Sequence, residues 1–327
     1  MTNEQLSLEQ ENARCRAAGC AGAQPPVFSF LTMADAVWLK PLLKAENSPA
    51  ASGCFGTHIL WGPAYGLQAA RVEGRVIFRY TSENGRCDYA YPAGSGCLRA
   101  AVCAAMADAA AHGVPLKMIG VTAVQKARLE NEFPGLFSFE EDRDRADYLY
   151  EPEKLVTLAG RKLQSKRNHC NRFEAEQPDW SFETLRADHI PACMALFDEW
   201  AAARPDLPPE EIAAERRAIV LALEEMEKLE MLGGVLFTGD RLVGFTLGEM
   251  TGDNTFDVHF EKAKAEVNGA YPMVNRQFAR TLTEKFPALK YINREEDLGM
   301  ENLRKAKMTY QPALLLERFT ATAEGTL

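Results

Sequence analysis

The chain has 327 residues, of which 46% are hydrophobic and 25% are charged, and its formal net charge is −9. This composition is typical of a globular protein with an ample core, and the length favours two domains over one. The negative charge argues against a protein that coats nucleic acid or an anionic membrane, although a local basic patch remains compatible with it. No stretch approaches the roughly 20 apolar residues of a membrane span, and the N-terminal segment lacks the apolar core of a signal peptide.

The eight cysteines are scattered through the chain without a C-x-x-C pair. Cys15/Cys20 and Cys97/Cys103 are spaced too irregularly for a zinc ribbon. In a chain of this length without a secretory signal, reduced structural cysteines and a cytoplasmic location are expected. No paired cysteine, histidine or acidic spacing indicates a ligand set, so the sequence predicts no metal site.

Residues 1–26 are polar and then rich in small residues, which predicts a flexible N-terminal arm. A first domain is expected over 27–152. It begins with the strand "VFSFL" and the helix "TMADAVWLKPLLKAE", followed by short, glycine-punctuated antiparallel strands. An alanine-rich helix ending at Gly113, the strand "LKMIGV", the helix "TAVQKARLENEF" and a last strand or hairpin complete it.

The linker over 153–178 is predicted to be one helix that ends at Pro178, and it contains the basic run "KLQSKRNHCNRF". At about 100° per residue, Lys166 and Arg167 flank its apolar stripe. Arg161 and Arg172 lie opposite the stripe and are expected to face solvent. Long cations beside an apolar stripe can reach into a cleft, so Lys166, Arg167 and His169 are candidate donor-binding residues. The alternative is a solvated helix face.

The second domain, over 179–327, repeats the order of the first. Gly239-Asp240 and Gly252-Asp253 predict hairpins between its strands. A helix from about 270, the strand "LKYINR", the helix "GMENLRKAKMT" and the strand "ALLLERF" follow. The segments "PLKMIGV" and "ALKYINR" share an L-K-x-I core before a helix, which favours an internal duplication.

The order strand, helices, antiparallel strands, helix, strand, helix, strand is that of the GNAT (N-acyltransferase) fold. The segments "GRKLQSKRNHCNRF", "VHFEKA", "GAYPMVNRQFA" and "YINREEDLGMENLRKAKMTYQP" make the chain resemble, over residues 27–320, proteins related to the C-terminal domain of bacterial phosphatidylglycerol lysyltransferases. The resemblance implies an α/β (α+β) fold with two tandem GNAT-like domains, whose mixed, mostly antiparallel sheets are flanked by helices. Those lysyltransferases move an aminoacyl group from charged tRNA to a lipid. They carry a large membrane-spanning region that this sequence does not show, so lipid lysylation is not carried over.

A GNAT enzyme that uses CoA holds its pyrophosphate in a glycine-rich loop at a helix start, because main-chain N–H groups must approach the phosphates. The second half offers "EVNGAY", in which Gly269 fits but Glu266 and Tyr271 oppose a phosphate. The first half offers "YPAGSG", where the candidate loop is Gly94, Ser95 and Gly96. A Gly-Ser-Gly helix start is more often ordinary turn chemistry.

In "TFDVHFE", strand alternation puts Asp257, His259 and Glu261 on one face. In the GNAT fold this strand splays from its neighbour, and the gap holds the acyl donor. Transfer to an amine or hydroxyl needs a base, and His259 or Glu261 is the candidate. A strand with one solvated face is the alternative.

The segment "NREEDLG" follows a strand, at the end where open α/β sheets usually bind ligands. Asp297 is expected to cap the next helix. By its position in the GNAT fold, Tyr310 is the candidate general acid, with a packed tyrosine as the alternative. The predicted substrate- or donor-binding residues are Lys166, Arg167, His169, Asp257, Gly269, Tyr271, Asn275, Asn293, Arg294, Glu296, Arg304 and Lys305.

Three functions follow as expectations. The first is an acyl or aminoacyl transferase with aminoacyl-tRNA as donor and an amine or hydroxyl of a small molecule, peptide or lipid headgroup as acceptor. The second is a binding or regulatory protein that has kept the fold without the chemistry. The third is an N-acyltransferase that uses acyl-CoA as co-substrate. The sequence does not indicate an oligomeric state.

Overall fold

The computed structural model describes residues 20, 22–82, 85–205 and 207–325. The chain forms two compact units. The first contains the described residues up to Ser48, Gly62–Ala146 and the described residues from Leu316 onward, and the second contains Pro49–Trp61 and Asp147–Leu315. The boundaries expected from the sequence assign 49–61 to the first domain and the last strand to the second, whereas each of these segments belongs to the other unit.

The strands, in chain order, are Ser29–Phe30 (β1), Leu67–Val72 (β2), Arg75–Thr81 (β3), Cys87–Ala90 (β4), Ala93–Gly94 (β5), Lys117–Thr122 (β6), Phe137–Glu141 (β7), Asp147–Tyr150 (β8), Trp180–Thr184 (β9), Leu232–Thr238 (β10), Arg241–Thr251 (β11), Thr255–Ala263 (β12), Tyr291–Asn293 (β13), Leu314–Leu316 (β14) and Arg318–Ala323 (β15). The α-helices are Ala36–Glu46 (α1), Phe55–Trp61 (α2), Leu98–Ala111 (α3), Ala123–Glu132 (α4), Pro152–Thr157 (α5), Gln164–Glu176 (α6), Ile190–Ala202 (α7), Pro209–Glu224 (α8), Met226–Leu229 (α9), Ala270–Lys285 (α10) and Glu301–Met308 (α11). None of the helices in the described part of the chain has the length and apolar character needed to cross a membrane.

The first unit is built on an eight-stranded sheet with the order β1-β2-β3-β4-β6-β15-β7, in which β5 pairs with β3. Its pairings are antiparallel except for β4 with β6, where Tyr89 faces Met118. Helix α3 packs on this sheet through Ala101 and Ala105, because alanine lets a helix approach closely. The predicted alanine-rich helix is thereby confirmed.

The second unit is built on a seven-stranded sheet with the order β14-β8-β13-β12-β11-β10-β9. The two predicted hairpins are confirmed, because β10 and β11 flank Gly239-Asp240 and β11 and β12 flank Gly252-Asp253. Strands β12 and β13 are parallel. Both units therefore have the mixed, mostly antiparallel sheet with flanking helices of a tandem GNAT-like protein.

The linker is not one helix, which corrects the expectation from the sequence. Helix α5 ends at Thr157. The left-handed φ of 50° at its C-cap, Leu158, and the φ of 89° at Gly160 interrupt the helical path before α6 begins. Both helices pack against α10 of the second unit. The segment is therefore part of that unit's core, to which α6 contributes the buried Cys170 and Phe173.

The structure also corrects the expectation that every cysteine is reduced. Cys20 and Cys103 form a disulfide in the first unit. Four other cysteines are free and buried: Cys54, Cys87, Cys170 and Cys193. These four keep the structural role that the sequence predicts.

Candidate functional site

The sheet of the second unit opens where β12 and β13 separate. The two strands pair only at Thr255 with Tyr291, Phe256 with Ile292, and Asp257 with Asn293. Strand β13 then ends, whereas β12 continues to Ala263. Side chains from the far half of β12 and from the segment after β13 therefore lie where the two strands no longer pair.

A β-bulge in β12 decides on which face of the sheet these side chains lie. Val258 pairs with Gly248 and Phe260 with Leu247, so His259 is the extra residue. A bulge inverts the alternation beyond it. Glu261 consequently lies on the α10 face of the sheet, whereas Asp257 and His259 lie on the opposite face. This corrects the expectation that all three share one face.

Glu261 is the centre of the first group of functional side chains. Its Oε1 accepts a hydrogen bond from Arg294 Nη2 at 2.8 Å, and its Oε2 accepts one from Asn275 Nδ2 at 3.2 Å. The side chains of Glu261 and Arg294 keep 11% and 14% of their surface exposed. Charge-assisted bonds of this kind hold a carboxylate in one orientation while solvent still reaches it.

Tyr310 and Lys166 complete this group. The Tyr310 ring lies 4.8 Å from the Arg294 guanidinium and 4.4 Å from Lys166 Nζ. Burial raises the pKa of Tyr310 well above its usual range, so its hydroxyl keeps its proton at neutral pH. Burial, with the neighbouring Arg294 charge, lowers the pKa of Lys166. The group thus combines a carboxylate, two cations and a neutral phenol.

His259 belongs to a separate group on the opposite face. Its Nε2 lies 3.1 Å from Glu249 Oε1, and its Nδ1 lies 3.1 Å from Glu295 Oε1 and 3.2 Å from Asp257 Oδ2. Its side chain is fully buried. Burial opposes the charged ring, but hydrogen bonds with Cys54, Glu249 and Glu295 and the charge of Asp257 raise the pKa of His259 well above 6.5.

The basic linker residues differ in their exposure, as their helical spacing predicts. Lys166 and Arg167 are half-buried, whereas Arg161, His169 and Arg172 are exposed. Arg167 Nη1 donates to the carbonyl of Leu158, the C-cap of α5, so it stabilises the break in the linker. Of the linker trio, only Lys166 joins Glu261, while His169 remains on the surface.

The residues after β13 mainly form hydrogen bonds that fix the local backbone. Asn293 Nδ2 donates to the Pro49 carbonyl and to Asp147 Oδ2. The carbonyl of Glu296 accepts from Lys307 Nζ at 2.6 Å. Among the residues predicted here, only Arg294 lies with Glu261.

Arg304 and Lys305 also lie apart from Glu261. Arg304 binds both oxygens of Asp297, at 2.9 and 2.8 Å, and Lys305 forms an exposed ion pair with Glu301. The N-cap of α11 is Met300 rather than Asp297. The expected capping role of Asp297 is therefore corrected, because its carboxylate is occupied by Arg304 and by the amide of Gly299.

The geometry argues against a phosphate role for the first glycine loop. The amide of Gly94 donates to Glu46 Oε2 at 3.4 Å, and the amide of Gly96 donates to the Gly74 carbonyl at 3.3 Å. Ser95 is exposed between them. Amides that already have partners, beside a carboxylate, are poorly suited to an anion.

The second glycine loop is a packing contact. Gly269, with a φ of 81°, precedes α10, and a Cβ there would lie 2.3 Å from the His169 carbonyl oxygen. Tyr271 is half-buried in the first turn of α10. Burial raises its pKa, against hydrogen bonds with the Ala263 backbone and the Trp200 side chain that lower it. Both residues shape the core beside α6.

Cys54 and Glu249 are the members of the His259 group that the sequence did not single out. Cys54 Sγ lies 3.8 Å from Asp257 Oδ2, although 203 residues separate them in the chain. Glu249 lies within a strand that otherwise reads as apolar. A carboxylate inside a buried run is the one sequence signal that could have indicated Glu249.

Comparisons with known proteins agree with this architecture. The family model for phosphatidylglycerol lysyltransferase, C-terminal, matches residues 47–322. A crystal structure of a conserved protein of unknown function from Bacteroides thetaiotaomicron is 36% identical, with a TM-score of 0.84, over 91% of this chain and 100% of that one. The C-terminal domain of a protein assigned as a lysylphosphatidylglycerol synthetase from Agrobacterium fabrum has a TM-score of 0.63 at 13% identity, over 90% of this chain and 93% of that one, and shows the fold alone.

An uncharacterized protein of Mycoplasmoides gallisepticum is 24% identical over 176 residues, which are 53% of this chain and 54% of that protein. The chain thus spans about half the length of this curated relative. The family match covers most of the chain and includes both groups of polar residues. The chain therefore belongs to the family of phosphatidylglycerol lysyltransferase C-terminal domains and has a tandem GNAT-like fold.

Proposed function

We propose that this chain transfers an aminoacyl group from aminoacyl-tRNA to an amine or hydroxyl acceptor in the gap between β12 and β13. The observation that carries the proposal is the convergence of Glu261, Arg294 and Tyr310 beside that gap. Of the two candidate bases, Glu261 is favoured because it faces this group and stays partly exposed. His259 faces the opposite side and is fully buried.

The reaction needs one proton acceptor and one proton donor. The nitrogen or oxygen of the acceptor substrate attacks the ester carbonyl carbon of the aminoacyl-tRNA and gives its proton to Glu261. The bond from that carbon to the ribose oxygen of the tRNA then breaks, and the leaving oxygen takes a proton from Tyr310. Exchange with solvent restores both side chains. A neutral tyrosine suits this role, and burial keeps Tyr310 neutral.

Two cations support an anionic donor. Lys166 and Arg294 both lie against the Tyr310 ring, where either can stabilise the oxyanion that forms during transfer. The exposed side of α6 adds Arg172, and the exposed Arg161 lies just before the basic run. A tRNA acceptor end held by such residues would dissociate as salt rises.

The test is transfer of a labelled amino acid from aminoacyl-tRNA, with product identified by mass spectrometry. Phosphatidylglycerol vesicles, a lysine-containing peptide and ethanolamine serve as acceptors, and acetyl-CoA replaces the tRNA in a parallel reaction. We expect transfer from tRNA and about a 10²- to 10⁴-fold lower rate for Glu261→Gln, the usual cost of losing a general base. Glu284→Gln, an exposed carboxylate on α10, is the matched control and should retain the rate.

Three outcomes count against the proposal. Transfer by Glu261→Gln within about threefold of the unmodified rate would remove Glu261 as the base. Transfer from acetyl-CoA alone would favour an N-acyltransferase. Binding of aminoacyl-tRNA without transfer to any of the three acceptors would favour a binding protein with this fold.

A further inference from the structure

We propose that the second unit also holds a divalent transition-metal ion, bound by His259 Nδ1, Asp257 and Glu295 on the sheet face opposite Glu261. The site uses none of the groups assigned to the transfer reaction. It is therefore independent of the proposed function. The three ligands come from the bulge of β12 and from the segment that follows β13.

The donor atoms are spaced like neighbouring ligands of one ion. Nitrogen and oxygen ligands lie about 2.0–2.2 Å from a zinc-sized ion, so ligands about 90–110° apart are separated by about 2.9–3.5 Å. His259 Nδ1 lies 3.1 Å from Glu295 Oε1 and 3.2 Å from Asp257 Oδ2. The three donor atoms all lie within 4.8 Å of one another. An ion can therefore be seated by small side-chain movements.

The far side of the imidazole is arranged as metal-binding histidines require. Such a ring usually donates its other N–H to a carboxylate, which fixes the tautomer and leaves the ligand nitrogen unprotonated. Glu249 Oε1 lies 3.1 Å from His259 Nε2, and the amide of Gly56 donates to the same oxygen at 2.8 Å. Glu249 is thus held in place to orient the ring.

One oxygen of the Asp257 carboxylate is available to a cation. Asp257 is fully buried, and its Oδ1 has no hydrogen-bond partner among the residues that the structure describes. Its other oxygen faces His259, so the carboxylate is directed into the group. Buried carboxylate oxygens are normally satisfied by donors or by a cation.

The charge balance also favours a cation. Three acidic side chains, those of Glu249, Asp257 and Glu295, surround one imidazole, so the acidic groups outnumber the single ring. The nearby cation of Lys307 donates to the main-chain carbonyls of residues 294–296. A divalent ion at the Nδ1 side would be held by two of these acidic side chains and would offset their charge.

A second donor set shares the same ring. Cys54 and Glu249 approach His259 closely enough to be ligands as well, but all three of these residues are buried. Glu249 Oε1 is already occupied by the Gly56 amide. Glu295 keeps 23% of its side chain exposed, which gives an ion and its water ligands a route in. One nitrogen and two carboxylates suit Zn²⁺ or Mn²⁺.

The test uses the full chain after dialysis against a chelator, titrated separately with Zn²⁺ and Mn²⁺ by calorimetry, with bound metal measured by elemental analysis. We expect one equivalent of at least one ion per chain. Asp257→Asn and Glu295→Gln should each weaken binding at least about 10-fold. Circular dichroism of the metal-free variants shows whether each is folded, and the more exposed Glu295→Gln keeps the test decisive if Asp257→Asn unfolds.

Cys54→Ser and Glu284→Gln are the controls and should bind as the unmodified chain does. Stoichiometric binding that survives Glu295→Gln but is lost in Cys54→Ser would overturn the assignment in favour of the other donor set. The absence of stoichiometric binding would overturn the site altogether. Neither result would bear on transfer by Glu261.

Discussion

His259 and Glu261 are two residues apart in β12, but their side chains lie on different faces of the sheet because His259 is the extra residue of a β-bulge. The bulge gives the unit two chemically distinct polar groups. On one face Glu261 meets cations and a phenol, and on the other His259 meets carboxylates and a thiol. One inserted residue thus separates the proposed transfer site from the proposed metal site.

Another histidine gives a pH dependence of stability. Burial lowers the pKa of His58 to about 4, against the Ser52 carbonyl, which lies 3.0 Å from its Nε2 and favours the charged ring. An unfolded histidine has a pKa of about 6.5. As pH falls from about 6.5 to about 4, the unfolded chain gains a proton that the folded chain does not, so the free energy of unfolding decreases by up to about 3 kcal/mol.

Urea denaturation between pH 7.5 and 4.5 measures this effect. The difference in unfolding free energy between the unmodified chain and His58→Asn should shrink as the pH falls through that window. His169→Asn, at an exposed histidine, is the control for a general effect of removing a ring. A pH-independent difference for His58→Asn would show that His58 does not stay neutral in the folded chain.

At the scale of elements, Gly269 sets how closely α10 approaches α6. Its φ is 81°, and a Cβ there would lie 2.3 Å from the His169 carbonyl oxygen and 3.0 Å from Phe173 Cβ. Gly160 has a similar φ of 89° but nothing within 4 Å of its Cβ position. Gly160 has a ψ of 166°, in a region that is essentially confined to glycine, so we expect Gly160→Ala to cost about 1–3 kcal/mol from backbone strain alone. Gly269→Ala should cost clearly more, about 3 kcal/mol or above, because the backbone must also move.

Urea denaturation of both variants at neutral pH checks this expectation. If both variants lost the same unfolding free energy, α6 and α10 could move apart at Gly269 at little energetic cost. A loss of aminoacyl-tRNA binding in Gly269→Ala without a loss of stability would instead support a direct role of this glycine in holding the donor.

Local signals in the sequence predict some of these elements and miss others. Gly239-Asp240 and Gly252-Asp253 predict the two hairpins correctly, because glycine and aspartate favour tight turns. The break at Leu158 was missed, because a leucine with positive φ has no sequence signature. The bulge at His259 was missed for a similar reason, since alternation cannot reveal an inserted residue.

The residues of the candidate sites are likewise only partly predictable from the sequence. The GNAT-like order of elements indicates Glu261 and Tyr310 as candidates, because a fold fixes where the ends of its strands and helices lie. The group around His259 includes Cys54, which is 203 residues from Asp257 in the chain. Ligand spacing in sequence detects local motifs only, so the prediction of no metal could not take this group into account.

At the scale of the whole molecule, two segments join a unit other than the one their sequence position suggests. Pro49–Trp61 belongs to the second unit, and it supplies Cys54 and Gly56 to the His259 group. The last strand, β15, belongs to the sheet of the first unit. Long-range pairing leaves no local composition signal, which is why the boundaries at 152 and 178 did not anticipate either segment.

Strand β15 should therefore control the stability of the first unit although it lies far from the unit's other strands in the sequence. Ala321 is fully buried and faces Met118 of β6 and Phe139 of β7. A proline at a central strand position cannot donate to the ladder. We expect Ala321→Pro to cost about 3 kcal/mol or more and to speed amide hydrogen exchange first and most in β6 and β7. Glu317→Pro, at an exposed residue between β14 and β15, should have a much smaller effect. If exchange in β6 and β7 stayed slow in Ala321→Pro, β15 would be a peripheral strand rather than the one that joins them.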